Sequence, residues 1–314
     1  MDVTIVIVSY NVANFLNDCL YSIKKETRCS YEVIVVDNYS EDNTVEIVQN
    51  QHPDIKLIKN QSNEGFAKAN NRGFKIAKGR YILMLNPDTV ILDKAIDKLV
   101  RLMDTHPKAG ACGPKNLNPD LSLQHNCHHF PSLIMAFFEC LQLRRFFPEK
   151  RLFGREHMTY WTYDKVRDVD WITGCSLMIR KTALDGVGFL DENYFIYSEE
   201  CDFCYRLKKN KWKVLFFPGA SITHYYGQSS SAQNQHKAKA KTVTRYYFES
   251  RYYFFKKNFG RGREFLLRLM DIIYYSLSFF RNKIMLWKGD REERMSYAET
   301  VLHAATHISS GHRP

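Results

Sequence analysis

The sequence predicts an α/β fold: an open, mostly parallel sheet with helices on both faces, followed by a helical C-terminal extension. Three observations carry this. Short runs of apolar, β-branched residues alternate with amphipathic segments over roughly the first hundred residues. The runs are apolar at every position, as in strands covered by helices above and below. Each run also ends in polar residues, at the carboxyl edge where such sheets bind ligands.

The elements follow in order. VTIVIVSY (3–10) reads as the first strand. Residues 13–25 have helical spacing, with Phe15, Leu16, Cys19, Leu20 and Ile23 on one face. YEVIVVD (31–37) is the second strand, and a helix runs from Asp42-Asn43 to about Asn50. DIKLIKN (54–60) is the third strand, residues 66–77 are helical, and YILMLN (81–86) is the fourth strand. At the strand ends stand Ser9-Tyr10-Asn11, Asp37-Asn38, Asn63-Glu64-Gly65 and Asn86-Pro87-Asp88. Any one of these is an ordinary turn. Four coinciding turns rich in amides and carboxylates predict a site.

Beyond about residue 105 the pattern loosens, and 114–168 read as loops and short helices laid over the sheet. VDWITGCSLMIR (169–180) is a strand with Gly174 inside it, which signals a close approach to the backbone. A helix follows over about 199–210 and a strand over 213–217. Glu199, Glu200 and Asp202 crowd the helix start. The helix dipole favours carboxylates there, yet three acids behind the apolar YFIY exceed what the dipole asks for. From about 236 the chain is helical, with nine Arg/Lys between residues 245 and 287 among many Tyr and Phe. Arg268, Asp271 and Arg281 break the apolar stretches, which suits helices lying on a membrane surface rather than crossing it. Packing of the same aromatics on the main body, or dimerisation, would use them equally well. Residues 290–314 form a polar, weakly helical tail.

Composition bounds the partners. The 314 residues are 45% hydrophobic and 25% charged, ordinary values for a folded chain. A net charge of +11 calls for an anionic partner: a phosphorylated small molecule, an acidic membrane or nucleic acid. No nucleic-acid-binding frame is recognisable, which argues against the last. The N-terminal strand lacks a leader's basic region, and the eight cysteines are scattered, so a cytoplasmic, reduced protein is expected. Cys201-x-x-Cys204 lacks a second pair for zinc, and His125, Cys127, His128 and His129 suit a loop better than a tetrahedral site.

In their order, VTIVIVSYN, VIVVDNYSEDNT, NEGFAKANNRGF, YILMLNPDT, WITGCSLMIR, GFLDENYFIYSEECDFCYR and the H-Y-Y-G that begins at His224 resemble glycosyltransferase family 2. The closest likeness is to its rhamnosyltransferase-like branch, which builds cell-surface polysaccharides. The resemblance runs from residue 3 to about 259. It implies a GT-A type fold over 1–235, with 236–314 as the C-terminal helical region. It also implies a nucleoside-diphosphate sugar donor, a divalent metal (Mg2+ or Mn2+) and inversion at the anomeric carbon.

Residue by residue, the resemblance puts Tyr10 and Asp37 against the nucleobase and ribose, with Ser9 in the same turn. Asn63, Gly65, Asn70 and Gly73 fall beside the nucleoside. The metal-binding D-x-D falls on Asn86-Pro87-Asp88, which leaves Asp88 as the metal ligand and Asn86 on the donor side. His224 matches a histidine completing the metal or diphosphate site. Trp171 and Gly174 fall on the acceptor side. The family's E-D pair falls on Glu199-Glu200, a departure that puts a glutamate where the base aspartate is usual. Asp202 is retained, either orienting these acids or meeting the acceptor.

The chemistry is self-consistent. A departing diphosphate wants a hard cation, and an acceptor hydroxyl wants a carboxylate within hydrogen-bond reach. The expected enzyme is an inverting glycosyltransferase. It would use a dTDP- or UDP-sugar, with dTDP-L-rhamnose favoured. Its acceptor would be a glycan or lipid-linked glycan at the inner face of the cell membrane. The alternative is a degenerate scaffold that binds nucleotide or glycan without catalysis. The missing first D-x-D acid and the Glu-Glu pair are its support.

Overall fold

The computed structural model describes residues 1–147, 149–225, 236–284 and 291–307. The predicted alternation is present as β1 (Val3–Ser9), α1 (Ala13–Glu26), β2 (Tyr31–Asp37), α2 (Thr44–Gln51), β3 (Lys56–Lys59), α3 (Phe66–Ile76) and β4 (Tyr81–Leu85). Next come β5 (Thr89–Leu92), α4 (Ala95–Thr105) and β6 (Ala109–Leu117). A cover follows: β7 (Leu123–Gln124), β8 (Cys127–His128), α5 (Leu133–Cys140), α6 (Leu143–Phe146), β9 (Arg167–Asp168) and β10 (Trp171–Ile172). β11 (Ser176–Arg180), α7 (Lys181–Val187), α8 (Glu199–Lys209) and β12 (Lys213–His224) complete the α/β body. Three helices end the described chain: α9 (His236–Phe259), α10 (Arg261–Ile284) and α11 (Arg291–Thr306).

Among the described residues one ten-stranded sheet runs β3-β2-β1-β4-β11-β6-β12-β5, with β7 and β9 at its margins. β3, β2, β1 and β4 are mutually parallel, as are β6 and β12. β11 inserts antiparallel between β4 and β6, and β5 pairs antiparallel with the end of β12. Alternation along the strands builds two cores. Val3, Ile5, Ile7, Leu83 and Leu85 pack under α1 and α4. Val6, Val8, Ile82 and Met84 pack with α3, α7 and α8 on the other face. Each fully buried side chain of this size contributes roughly 1.5–3 kcal/mol, so both faces are firmly held. Gly73 belongs to this packing: a Cβ there would lie 2.4 Å from Val6 Cγ1, so α3 seats on β1 only without one.

Four expectations change. Residues 169–180 are not one strand: β10 pairs with β8, and the chain turns at Thr173–Cys175 before β11 starts. The turn aims the Gly174 N–H at a side chain instead of a neighbouring strand. Residues 114–117 belong to β6, not to a loop. Pro114 is tolerated because it lies past Cys112, the last β6 residue paired with β11, so its missing N–H costs no ladder bond there. The predicted strand at 213–217 continues to His224, with a register shift across Pro218 and Gly219. The tail is firmer than its polarity suggests: Ala298, Val301, Ala304 and Ala305 form a buried stripe on α11.

The C-terminal aromatics divide. Phe248, Tyr252, Phe254 and Phe255 of α9 are buried in a third core with Tyr194 and Cys201 of the α/β body and Leu267 of α10. These rings therefore serve packing, not a surface. The Ser250 hydroxyl donates to Ile196 O (2.9 Å), and Tyr253 and Lys257 hold Asp191 at 2.9 and 2.7 Å. α9 is aromatic on all sides because it is covered from both sides. No described helix is long and apolar enough to cross a membrane.

Candidate active site

The strand ends converge as the sequence predicts. At the end of β1, the buried Ser9 hydroxyl faces Asp37 Oδ1 (3.3 Å), and Asp37 Oδ2 accepts from the Ser40 N–H (3.0 Å). Tyr10 stands exposed beside them. Asn38 is the hub of the neighbouring turn. Its Nδ2 donates to Asn63 Oδ1 (2.8 Å), while its Oδ1 accepts from Asn60 Nδ2 (2.9 Å) and the Glu64 N–H (3.0 Å). Asn63 Oδ1 also accepts from the Gly65 N–H (3.1 Å). Gly65 has φ +83°, and a Cβ there would lie 2.5 Å from Phe195 O. The next N–H, of Phe66, donates to that same carbonyl (2.6 Å). Buried Asn70 donates to Phe66 O (2.9 Å), and its Oδ1 has no partner among the described residues.

The turn after β4 answers to β12. β5 reverses direction and pairs with β12 so that Thr89 lies opposite His224. This brings Asp88 Oδ1 within 3.4 Å of His224 Nε2, with Asn86 Nδ2 3.5 Å from the same nitrogen. The backbone closes the turn: Tyr225 N–H donates to Asp88 O (2.9 Å) and Asn86 N–H to Cys175 O (2.9 Å). His224 is oriented by a residue the sequence reading did not single out. Gln124 Nε2 donates to the His224 carbonyl (3.2 Å) and to Asn118 Oδ1 (3.0 Å), so its Oε1 must face His224 Nδ1 (2.8 Å) as an acceptor. The Nδ1 proton is thereby fixed and Nε2 is turned to Asp88. Burial opposes a charged imidazole here. The Cys175 sulfur and the Asp88 carboxylate outweigh it, pushing the pKa up to about 10. The site favours positive charge beside Asp88.

An oxygen and an imidazole nitrogen so close fit a divalent ion such as Mn2+ or Mg2+, with a second-shell amide holding the histidine. No described cluster offers three or more His, Cys, Asp or Glu ligands, so a ligand's own oxygens would complete the shell. The Tyr226-Gly227 half of the H-Y-Y-G lies outside the described residues.

The acids of α8 face two ways. Tyr197 (φ 71°) and Ser198 (φ 68°) both adopt the left-handed conformation before the helix, a costly arrangement for non-glycine residues. Glu199 and Glu200 follow and are buried. Glu200 Oε1 accepts from the Gly174 N–H (3.2 Å), the close approach expected at this glycine, which stands in a turn and not within a strand. Glu199 Oε2 and Glu200 Oε2 have no hydrogen-bond partner among the described residues. Burial pushes both carboxyls above the usual range, and the Glu200 charge raises Glu199 further. Such a pair retains a proton to higher pH than a solvated glutamate.

Asp202 corrects its predicted place among the acids that act. It is wholly buried, and its carboxylate is consumed by Arg206 Nε (2.9 Å), Lys257 Nζ (2.8 Å) and Asn258 Nδ2 (3.0 Å). It ties α8 to α9. Trp171 is also partly engaged. One ring face stacks on His128 (4.1 Å between centroids), and its Nε1 donates to His129 O (3.1 Å). The other histidines of HNCHH have partners too. His129 lies 2.9 Å from Asp170, and His125 meets the edge of Tyr163.

The fold is an open α/β sheet with polar and acidic groups gathered at the carboxyl ends of its strands, and comparison gives the family. Residues 4–159 match the family described as glycosyl transferase family 2, and the chain belongs to it. It is a glycosyltransferase of GT-A fold with a rhamnosyltransferase-like sequence. The chain is 28% identical over 242 residues to the N-acetylglucosaminyl-diphospho-decaprenol L-rhamnosyltransferase of Mycobacterium tuberculosis, covering 72% of this chain and 76% of that one. It is 25% identical over 314 residues to the low-salt glycan biosynthesis hexosyltransferase Agl10 of Haloferax volcanii, covering 98% and 90% of the two chains. Its fold matches that of the mannosyltransferase PcManGT from Pyrobaculum calidifontis, solved in complex with GDP-Man and Mn2+. The TM-score there is 0.57 at 15% identity, over 96% of this chain and 85% of that one.

Proposed function

We propose that the protein transfers a sugar, L-rhamnose from dTDP-L-rhamnose being the favoured case, onto a hydroxyl of a glycan or lipid-linked glycan, with inversion. The observation that carries this is the pairing of two unlike groups at one sheet edge. Asp88 and His224 stand on one side, and the buried Glu199-Glu200 pair on the other. The relative that acts on a diphospho-decaprenol supports a lipid-linked acceptor. Such an acceptor would place the protein peripherally at the inner membrane face.

Each residue has a task in this reading. Tyr10, Ser9 and Asp37 receive the nucleoside, and the Asn63–Gly65 turn with Asn70 borders it. Asp88 and His224 hold the divalent ion, with Asn86 beside them. That ion would stabilise the departing diphosphate as a Lewis acid. Glu200, seated on the Gly174 N–H, takes the proton of the acceptor hydroxyl, with burial raising its basicity and Glu199 beside it. Trp171 and Gly174 border the acceptor.

A panel of dTDP-, UDP- and GDP-sugars with Mg2+, Mn2+ or EDTA tests the reading by thermal shift, since ligands of the folded state raise its stability. One donor should raise the midpoint only with metal, and Asp88→Ala should abolish that rise. No shift with any donor or nucleoside diphosphate would return weight to a non-catalytic scaffold.

A further inference from the structure

α10 carries an apolar row that nothing in the described chain covers. Phe265, Leu269, Ile273, Leu277, Phe280 and Ile284 are between 41% and 77% exposed. At about 100° per residue they fall within an arc of about 120° along the whole helix. The charges of α10 are sorted around that arc. Exposed Arg261 and Lys283 flank one side of it, and exposed Arg263 and Arg281 flank the other. The acids Glu264 and Asp271 lie on the opposite face. There Asp271 is buried against Tyr252 (2.9 Å) and Arg251, and Glu264 pairs with Arg268 (2.8 Å). The helix beside it adds a second row. α5 packs on α10, with Gln142 just past its end donating to Tyr274 (2.7 Å), and exposes Ile134, Phe137 and Leu141 at helical spacing.

A row of large side chains edged by cations, with both acids of α10 on the opposite face, is the pattern of a helix lying in a bilayer interface. The rings and aliphatic chains enter the acyl boundary, and the long Arg and Lys stems reach out to anionic headgroups. A protein partner or a second copy would bury the apolar row without explaining cations on both borders and acids on neither.

We infer that the exposed face of α10, extended by α5, docks the protein flat on an anionic phospholipid bilayer. The inference deepens the proposed function, resting on its lipid-linked acceptor for purpose, while its geometry stands by itself. It also narrows the composition reading: among the described helices of the C-terminal region α9, equally aromatic, is core, and α10 presents the continuous face.

The test is cosedimentation of the full chain with vesicles of phosphatidylcholine alone and of phosphatidylcholine with phosphatidylglycerol, neither containing acceptor. Binding should be at least about ten-fold stronger to the anionic vesicles and weaken with salt. The double variant Ile273→Glu/Leu277→Glu should lose it at least ten-fold, and Arg281→Glu/Lys283→Glu should lose the anionic preference. These positions are exposed, so thermal midpoint and nucleotide binding should be unchanged. Failure of wild type to bind anionic vesicles, or undiminished binding by the double variant, would overturn the inference. So would a wild-type dimer in solution that the double variant splits, since it would assign the face to a second copy. Loss of transfer to a short water-soluble acceptor would count against the proposed function instead.

Discussion

Two sides of the same helical turn use carboxylates in opposite ways. Asp202 and the Glu199-Glu200 pair all lie in the first turn of α8, and all are buried. Asp202 turns toward α9 and meets two cations and an amide. The glutamates turn toward the β4–β11 edge, where backbone N–H groups, that of Gly174 among them, are their only described partners and one oxygen of each has none. The dipole of α8 serves all three equally, so it cannot be what distinguishes them. Partner count does. A saturated buried carboxylate is a fastener, and an undersupplied pair is kept poised for a proton.

The sharpest way to break this comparison is to neutralise each side. Glu200→Gln should fold normally yet lower turnover by roughly 10²–10⁴-fold, the usual contribution of general base catalysis. If its kcat stays within a few-fold of wild type while Glu199→Gln collapses, the roles within the pair exchange. On the other side, Asp202→Asn should cost about 2–3 kcal/mol in chemical denaturation. That lies below the usual range for a fully buried pair because solvent reaches Lys257 and Arg206. Its nucleotide binding should survive at temperatures where it remains folded.

Asp88 is the intermediate case, a buried carboxylate whose neighbour is an oriented histidine. Gln124→Leu removes the acceptor that fixes His224 and should weaken Mn2+ binding by about 10–100-fold in a titration without donor. An unchanged affinity would make Gln124 a packing residue only. The smallest effect is on pH. The glutamates titrate higher in the folded chain than in the unfolded one, so the native state binds more protons between those values. The contribution of this pair to stability should therefore be full below the ordinary glutamate pKa of 4.5 and be lost as pH rises toward the folded values. Calorimetry should show this slope flattened in the Glu199→Gln/Glu200→Gln variant and kept in Asp202→Asn.

The legible and illegible parts divide by the range of the interactions. The first four strands and their helices are local patterns, and β2 has the bounds read from YEVIVVD in the sequence. The strand-end positions were legible because parallel topology puts all carboxyl ends on one edge. Gly174 announced a close approach, but only the fold supplies Glu200 as what approaches. Gln124 sits in a two-residue strand of no distinctive composition, and its role exists only because β12 returns beside it. Asp202 misled because its partners arrive from α9, some 55 residues later. The HNCHH histidines invited a metal reading, yet two of them meet Asp170 and Trp171 across the chain. The α9 aromatics looked like those of α10, since composition does not record which helix is covered twice.

Phe195 has a bearing on engineering. Its carbonyl receives the Phe66 N–H and leaves no space for a side chain at Gly65, so the Asn63–Gly65 turn and the segment leading into α8 are pressed together. A loop graft at this strand edge cannot be cut from 63–66 alone. Its shape is moulded against 194–198, and a mismatch would displace the acids that follow. The two segments form one cassette, to be exchanged together.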